Sequence, residues 1–402
     1  MKEGWSVKTL GEISVMMADG PFGSNLKKEH YTEDHEVRII QLSNIGEDGW
    51  REENTKYTTF KHLETIKRSE VFPDDIVIAK MMPAGRAIVC PNHERKYVLS
   101  SDAVKVQLKN GYDVRFILHS INSPYFKKQV LDNVSGSGRV RTSLTKLKDC
   151  KLRIPPLEEQ QRISRIIDVA FAKIEALRLN AINNLSNASV LFYATLNNAY
   201  SLKECWKEYR LNELFNFIDY RGATPTKIKS GIPLVTAKNI KKGFLDYTIA
   251  DFISEDEYNH RQSRGVSHKG DILFTTEAPL GNVAIADKNV FSAGQRVITF
   301  QQYPNSPLRI NNQFYLYYFM SQRFQSELKR QATGLTAQGI KASRLKEIVV
   351  PYTSIDEQAE IVSIIHRLEE RCNGLQDNCT RILNLCSDLK QALLNKAFNG
   401  DI

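Results

Sequence analysis

The chain has 402 residues, of which 42% are hydrophobic and 9% aromatic, and carries a formal net charge of +9 at neutral pH. Such a composition can pack a core and excludes wholesale disorder, and the length allows two ordinary domains with something added. The positive balance favours a polyanionic partner, nucleic acid first.

The first residues, "MKEGWSVKTLGEI", lack the apolar stretch of a signal peptide. The longest apolar run, near "FYLYYFM" at 314–320, is far short of a membrane span. Six cysteines in a chain of this length do not make a disulfide framework. The expectation is a protein of the reducing cytoplasm with no membrane partner.

In chain order, the runs "EVRIIQL" (36–42), "DIVIAKM" (75–81) and "VKVQL" (104–108) predict strands. An amphipathic stretch around 113–134 predicts a helix. A long helix over about 157–197 follows Pro155-Pro156 and has Glu158 and Glu159 in its first turn. The pattern then starts again. "PLVTA" (233–237), "DILFT" (271–275) and "VITFQ" (297–301) predict strands, and 311–332 predicts a helix. A second long helix covers about 355–398. Ser354 with Glu357 predicts a capping box there, Asp356 adds charge that suits the dipole, and Asn399-Gly400 suits the far end.

The second half repeats the first. "EQQRISRII" (159–167) returns as "EQAEIVSII" (357–365), with Glu159, Gln160, Ile163, Ile166 and Ile167 matching Glu357, Gln358, Ile361, Ile364 and Ile365. The same spacing pairs Phe116 with Phe314, Leu118 with Leu316, Ser123 with Ser321, Phe126 with Phe324, Gly136 with Gly334 and Leu147 with Leu345. Upstream the spacing drifts: "DDIVIAK" (74–80) matches "GDILFTT" (270–276), and Asn44-Ile45 matches Asn239-Ile240. "GWSVKTLGEI" (4–13) matches "CWKEYRLNEL" (205–214). The chain is two diverged copies of one unit. It divides into globular segments at 1–154 and 202–352 and helical segments at 155–201 and 353–402.

Each long helix carries a seven-residue apolar repeat. In the second, positions alternating by four and three are Ile361, Ile365, Leu368, Cys372, Leu375, Cys379, Ile382, Cys386, Leu389 and Leu393. The same register in the first gives Ile163, Ile167, Ala170, Ile174, Leu177, Ala181, Asn184, Ala188, Leu191 and Thr195. This is a coiled-coil seam, and the simplest partner for each helix is the other, in an antiparallel pair. Cys372, Cys379 and Cys386 are about 10 Å apart along the helix, too far for one ion, and read as small buried apolar side chains. Gly374, poor in a helix, reads as a mark of close helix approach.

Two tandem mixed domains, each leading through "PPLEEQ…I" or "IDEQ…I" into a long helix, resemble the specificity subunit of type I restriction–modification systems. "GPFGSNLK" (20–27), "NIGEDG" (44–49) and "GDILFT" (270–275) are similar to phrases in that family's target recognition domains. The resemblance covers essentially the whole chain. It implies an α+β fold: two globular mixed α/β target recognition domains joined by two long helices that form an antiparallel coiled coil, a pseudo-twofold internal repeat. It implies that each domain reads one half of a bipartite, asymmetric sequence in double-stranded DNA. The helices then set the unread spacer and dock two methyltransferase subunits, and restriction–translocase subunits can join. S-adenosylmethionine belongs to the methyltransferase subunit, with no cofactor bound by this chain. "VVPYTSIDEQ" departs from the pattern in lacking the double proline of the first copy.

Catalytic motifs are absent from the sequence. There is no glycine-rich cofactor loop, no Asn/Asp-Pro-Pro-aromatic tetrad, no nucleotide-binding Gly-x-x-x-x-Gly-Lys-Ser/Thr loop and no metal spacing among the eight histidines. Asp75 and Asp271 read as turn residues before strands. "SGSGR" (135–139) reads as a loop whose backbone could cradle phosphate. The chain is thus expected to be non-catalytic. The alternatives are the recognition part of a fused restriction or modification enzyme, or a coiled-coil adaptor for proteins. Base edges and phosphates call for Arg, Lys, Asn, Gln, Ser or Thr on strands and loops. In the first domain these are Lys27, Lys28, Gln41, Ser43, Asn44, Lys80, Arg86, Arg139, Arg141 and Thr142. In the second they are Arg221, Thr224, Lys227, Lys229, Lys238, Asn239, Thr275, Thr276, Gln338 and Lys341.

Overall fold

The computed structural model describes residues 3–132, 141–201, 203–221, 224–334 and 338–402. The chain forms two compact units, one of residues 1–181 with 380–402 and the other of residues 182–379. Each unit therefore takes part of both long helices, Leu157–Ala199 and Ile355–Asn399.

In the first unit, an antiparallel sheet runs in the order Ala87–Val89, Ile76–Ala79, Ala103–Leu108, Ser14–Asp19. Ile76, Val77, Ile78 and Ala79 are all fully buried. Alternate side chains serve different cores: Ile76 and Ile78 pack with Phe116, Ile117 and Ile121, while Val77 and Ala79 pack with Ile40, Tyr97 and Leu99. This two-sided burial is why the run reads as continuously apolar. A second sheet has the order Tyr31–Thr32, Tyr57–Thr58, Val37–Ile40, Tyr97–Leu99, Glu70–Val71. Ser6–Thr9 pairs with Lys151–Ile154 and ties the start of the unit to the residues that lead into the long helix.

The second unit repeats this plan. Its main sheet runs Phe215–Asp219, Val297–Gln302, Ile272–Thr275, Val283–Ile285, the same order read from the other edge. Lys207–Arg210 pairs with Val349–Tyr352, as Ser6–Thr9 does with its partner. The run 314–320 is entirely buried. Its tyrosines keep polar partners: Tyr315 Oη donates to Pro351 O at 2.9 Å and Tyr317 Oη to a Glu369 carboxylate oxygen at 2.6 Å.

Each stretch expected as one helix, 113–134 and 311–332, is two. The first splits into Val114–Asn122 and Pro124–Asp132, the second into Asn312–Met320 and Gln322–Gln331. Ser123 and Ser321 sit at the breaks with extended backbone, and each hydroxyl donates to the carbonyl three residues back at 2.6 Å. A serine that closes one helix and starts the next satisfies groups both would leave open. Hydrophobic periodicity does not register such a break.

Within each unit the long helices pack antiparallel. In the first, Ile163 and Ile167 share a core with Leu394, Ala397 and Phe398, while the Cys386 thiol donates to Ile174 O at 3.7 Å. In the second, Ile361 and Ile365 share a core with Leu196 and Tyr200, and the Cys372 thiol donates to Ala188 O at 3.6 Å. The buried rows are Ile167, Ile174, Ala181, Ala188 and Ile365, Cys372, Cys379, Cys386. The seam expected beside them is corrected. Leu177, Leu191, Leu375, Ile382 and Leu389 are 39–54% exposed. The half-buried flank lies four residues on, at Arg178, Leu185 and Phe192 and at Gln376, Leu383 and Lys390. Two helices meeting through alanine and cysteine cover one ridge each and leave the far flank open.

The helix ends follow the local chemistry. Gly400 has φ +86°, Gly400 N donates to Ala397 O at 3.3 Å and Asp401 N to Lys396 O at 3.0 Å, a Schellman stop. At the other end Glu357 N donates to Ser354 Oγ at 3.3 Å, but the Glu357 carboxylate turns to Thr353 Oγ1 and Lys203 instead of completing the box. Gly374 is also corrected: a Cβ there would meet nothing within 4 Å, so no close helix approach requires it.

Candidate nucleic-acid interface

In the first unit, several strand ends converge on one edge. Lys80 N donates to Asp102 O at 2.8 Å, and Lys80 O accepts Thr142 N at 2.9 Å. Met81 bridges Arg141. Ser100 N donates to Ile40 O at 2.9 Å, which brings the turn starting at Gln41 to the same edge. A Cβ on Gly20 would lie 1.7 Å from Ser100 O, so only glycine lets these two segments meet. The Lys80 ammonium lies 2.5 Å from an Asp19 carboxylate oxygen at the end of its strand. Lys80, Arg141, Thr142 and Gln41 are thus brought together. Arg86 closes the hairpin that Lys80 opens and donates from Nε to Pro83 O at 3.1 Å. Partial burial lowers its guanidinium pKa, an effect that the nearby Glu47 carboxylate opposes. Lys27 and Lys28 are exposed on the loop beyond Gly20, with Lys27 3.7 Å from Glu29. Arg139 lies outside the described residues.

The second unit uses the same edge. Thr276 N donates to Arg296 O at 3.0 Å, Ile340 N to Thr276 O at 3.0 Å, and Glu277 bridges Gly339. Arg221 is gripped by Asp219: its Nε is 3.0 Å from both carboxylate oxygens, its Nη2 2.6 Å from Oδ2 and its backbone N 2.9 Å from Oδ1. Arg221 Nη1 donates to Ile340 O at 3.3 Å. Arg264 Nη1 donates to Arg221 O at 2.8 Å, Arg296 Nε lies 2.8 Å from Glu277, and Thr224 Oγ1 donates to Gln295 Oε1 at 2.7 Å. Lys341 is exposed beside Ile340, and Gln338 is exposed one residue before Gly339. Burial pushes the Asp219 carboxyl pKa up, but the Arg221 hydrogen bonds and the Arg221 and Arg264 charges outweigh it and leave the pKa below its usual value.

Other expected residues stand apart or do other work. Lys227 pairs with Asp251 at 2.5 Å, and Lys229 and Lys238 are exposed on separate loops. Asn44 and Asn239 are corrected from readers to loop pins, because both are buried and their amides are consumed by the fold. Asn44 Oδ1 accepts Gln41 N at 2.8 Å and its Nδ2 donates to Arg51 O and Glu53 O. Asn239 does the same with Thr236 N, Asp246 O and Ile249 O. Thr275 and Thr276 are corrected likewise: both are buried, and their hydroxyls donate to Asn282 O and Arg296 O. Thr142 and Ser43 have buried hydroxyls with no partner among the described residues. Asp75 and Asp271 accept from backbone N–H groups at Phe72 and His268, which makes them turn residues before strands as expected.

Sequence reading missed Asp19, Asp219, Arg264, Gln295 and Arg296. The repeat offered one signal: Asp19 and Asp219 occupy the same strand end in the two copies. Away from this edge, a cleft of about 610 Å³ in the first unit is lined by Asp48, His119, Asp168, Glu175, Arg178 and Lys390. Its charges pair with one another. Lys390 is 2.5 Å from Asp48 and 3.5 Å from Glu175, and Asp168 takes bonds from His119 at 2.7 Å and Arg115 at 3.1 Å. Among the described residues no cluster of His, Cys, Asp and Glu could hold a metal ion, and no helix is long and apolar enough to cross a membrane.

Two units of one plan, each gathering basic and hydrogen-bonding side chains on matching strand ends, define a duplicated recognition protein. The chain belongs to the type I restriction modification DNA specificity domain family, whose pattern matches residues 2–184 and 203–381. The specificity subunit of the type I restriction enzyme EcoBI from Escherichia coli is 25% identical over 363 residues, covering 83% of this chain and 74% of that one. The corresponding EcoKI subunit from Escherichia coli strain K12 is 22% identical across all of this chain and 90% of its own. A solved chain from a study of complex assembly and conformational transition in the type I R-M system shares the fold. It has a TM-score of 0.78 at 17% identity, covering 100% of this chain and 99% of that one.

Proposed function

We propose that this chain is the DNA-recognition subunit of a type I restriction–modification complex and performs no catalysis of its own. Each globular domain reads one half of a bipartite DNA target through the strand-end edge that the two units share. The observation that carries this reading is the repeated edge itself, with Lys80 and Arg141 in one unit and Arg221, Arg264, Arg296 and Lys341 in the other. Cations near phosphates supply affinity, and fixed donors facing base edges supply specificity.

The two helices set the unread spacer and dock two methyltransferase subunits, which bring S-adenosylmethionine and the transfer chemistry. The open helix flanks support the docking. In the first unit Leu177, Ile382, Leu385 and Leu389 are exposed, and in the second Ile182, Leu191, Ile364 and Leu375 are. Apolar rows of this extent on a helix pair suit coverage by partner helices. The working compartment in this reading is the cytoplasm, where the DNA and the partner subunits are.

Methylome sequencing of cells that carry this chain with its partner methyltransferase tests the proposal. The expected result is one bipartite motif with an unread spacer and no methylation by the chain alone. A short continuous palindrome overturns it, as does S-adenosylmethionine binding by the isolated chain. DNA affinity that does not fall with added salt also speaks against the reading.

A further inference from the structure

We propose that Arg221, held by Asp219, reads the major-groove edge of a single guanine in the half-site of the second domain. The inference rests on the DNA-recognition reading above and assigns one of its base contacts.

A guanidinium has five N–H donors in a planar fork. Asp219 occupies the side edge of this fork, Nε and one hydrogen of Nη2, at 2.6–3.0 Å. The Ile340 carbonyl takes one hydrogen of Nη1 at 3.3 Å. What remains is one hydrogen on each of Nη1 and Nη2. The Arg221 side chain is 31% exposed, and these four bonds restrain the direction of its guanidinium.

The charge balance decides between phosphate and base. Phosphate affinity is dominated by net positive charge. A carboxylate in direct contact cancels most of that charge at short range. It leaves the hydrogen-bonding geometry intact and better defined. A neutralised, pre-set donor pair suits a neutral partner offering two adjacent acceptors. In the major groove that partner is guanine, through O6 and N7. Exposed Lys341 has no such restraint and suits phosphate.

The first unit supplies an independent parallel. Asp19, at the same strand end, holds Lys80 at 2.5 Å, although Lys80 comes from a different strand. The two copies thus keep the carboxylate in place and change the cation it presents. Lysine has no fork, so the guanine assignment is confined to the second unit.

The test uses the full chain with its methyltransferase partner, with Arg221→Lys and Asp219→Asn as variants. The readouts are the methylated motif, binding to a duplex panel varied base by base, and the thermal transition. In Arg221→Lys one guanine position relaxes by about ten- to a hundred-fold and the other half-site stays as it was. In Asp219→Asn preference falls at the same position, while the freed charge steepens the salt dependence by about one ion. A small, uniform change over all sequences in Arg221→Lys, with the salt slope kept because lysine keeps the charge, makes the contact a phosphate and overturns the inference. An unchanged motif, relaxation at an A·T pair, or a collapsed thermal transition in both variants also overturns it. If the wild-type complex marks no bipartite motif, the DNA-recognition reading fails first. If it does and Arg221→Lys marks the same one, only the guanine assignment fails.

Discussion

Replacing Asn239 by alanine separates a structural role from a reading role at a position where the residue type alone suggests DNA contact. The amide is 2% exposed. Its Oδ1 accepts Thr236 N at 2.9 Å and Thr236 Oγ1 at 2.8 Å, and its Nδ2 donates to Asp246 O at 2.9 Å and Ile249 O at 2.7 Å. Alanine leaves one backbone N–H and two carbonyls without these partners. A buried polar group left unpaired costs about 1–3 kcal/mol, and partial relaxation or an admitted water offsets some of that. The expected loss is about 2–4 kcal/mol, which lowers the melting temperature of a unit this size by about 2–4 °C per kcal/mol. Asn44→Ala, which removes the bonds to Gln41 N, Arg51 O and Glu53 O, should cost a similar amount. Urea titration of each variant gives the stability, and methylome sequencing of the assembled complex gives the motif. Both variants should lose stability and keep the wild-type motif. A variant with wild-type stability and an altered base preference refutes the loop-pin assignment.

Three further outcomes follow from the geometry. Gly374→Ala fills empty space on a helix and should stabilise the chain by about 0.5–1 kcal/mol, visible as a higher urea midpoint; destabilisation means the open space is not there. Burial pushes the Asp168 carboxyl pKa up, but hydrogen bonds from His119 and Arg115 reverse this and bring it down to about 2. A pKa depressed on folding contributes stability above the unfolded value, near 4, that is lost as pH falls towards 2. Asp168→Asn should therefore cost about 1–2 kcal/mol at neutral pH, discounted for its partial exposure, and flatten the stability curve between pH 4 and 2; an unchanged acid limb contradicts the pairing. Removing one heptad from both helices shortens each by about 10 Å, close to three base-pair steps. The accepted spacer should shorten by about that much with both half-sites kept, and altered half-sites refute the ruler.

Much of the fold can be read from the chain because it is written in local, one-dimensional patterns. The doubled phrase at 159 and 357 reveals the duplication. Short runs rich in apolar residues mark the strands Val37–Ile40, Ile76–Ala79 and Ile272–Thr275 at the expected places. Each long helix is marked by an apolar repeat that continues past one domain's worth of turns. Short strands such as Ser6–Thr9 and Lys207–Arg210 gave no such signal, because their burial and pairing depend on partners some 140 residues away. The break at Ser123 is marked only by the proline that follows it, and the one at Ser321 follows a run buried on every side, which has no amphipathic pattern to interrupt.

The candidate interface is less legible, since polar residues disclose their role only through what they touch. Asn44 and Asn239 have the composition of readers, and the return of the chain around them makes them pins. Lys80 and Asp19 are 61 positions apart, and Arg221 meets Ile340 across 119.

The amino-acid sequence on its own determined the repeat, the order of strands and helices, the long paired helices and the family, all of which rest on spacing between near neighbours or on identity between copies. Tertiary structure alone decided which ridge of each helix is covered, which asparagines and threonines are spent on the backbone, and which cations a carboxylate holds. Those outcomes depend on the environment that distant segments create around a side chain, and no local pattern encodes it.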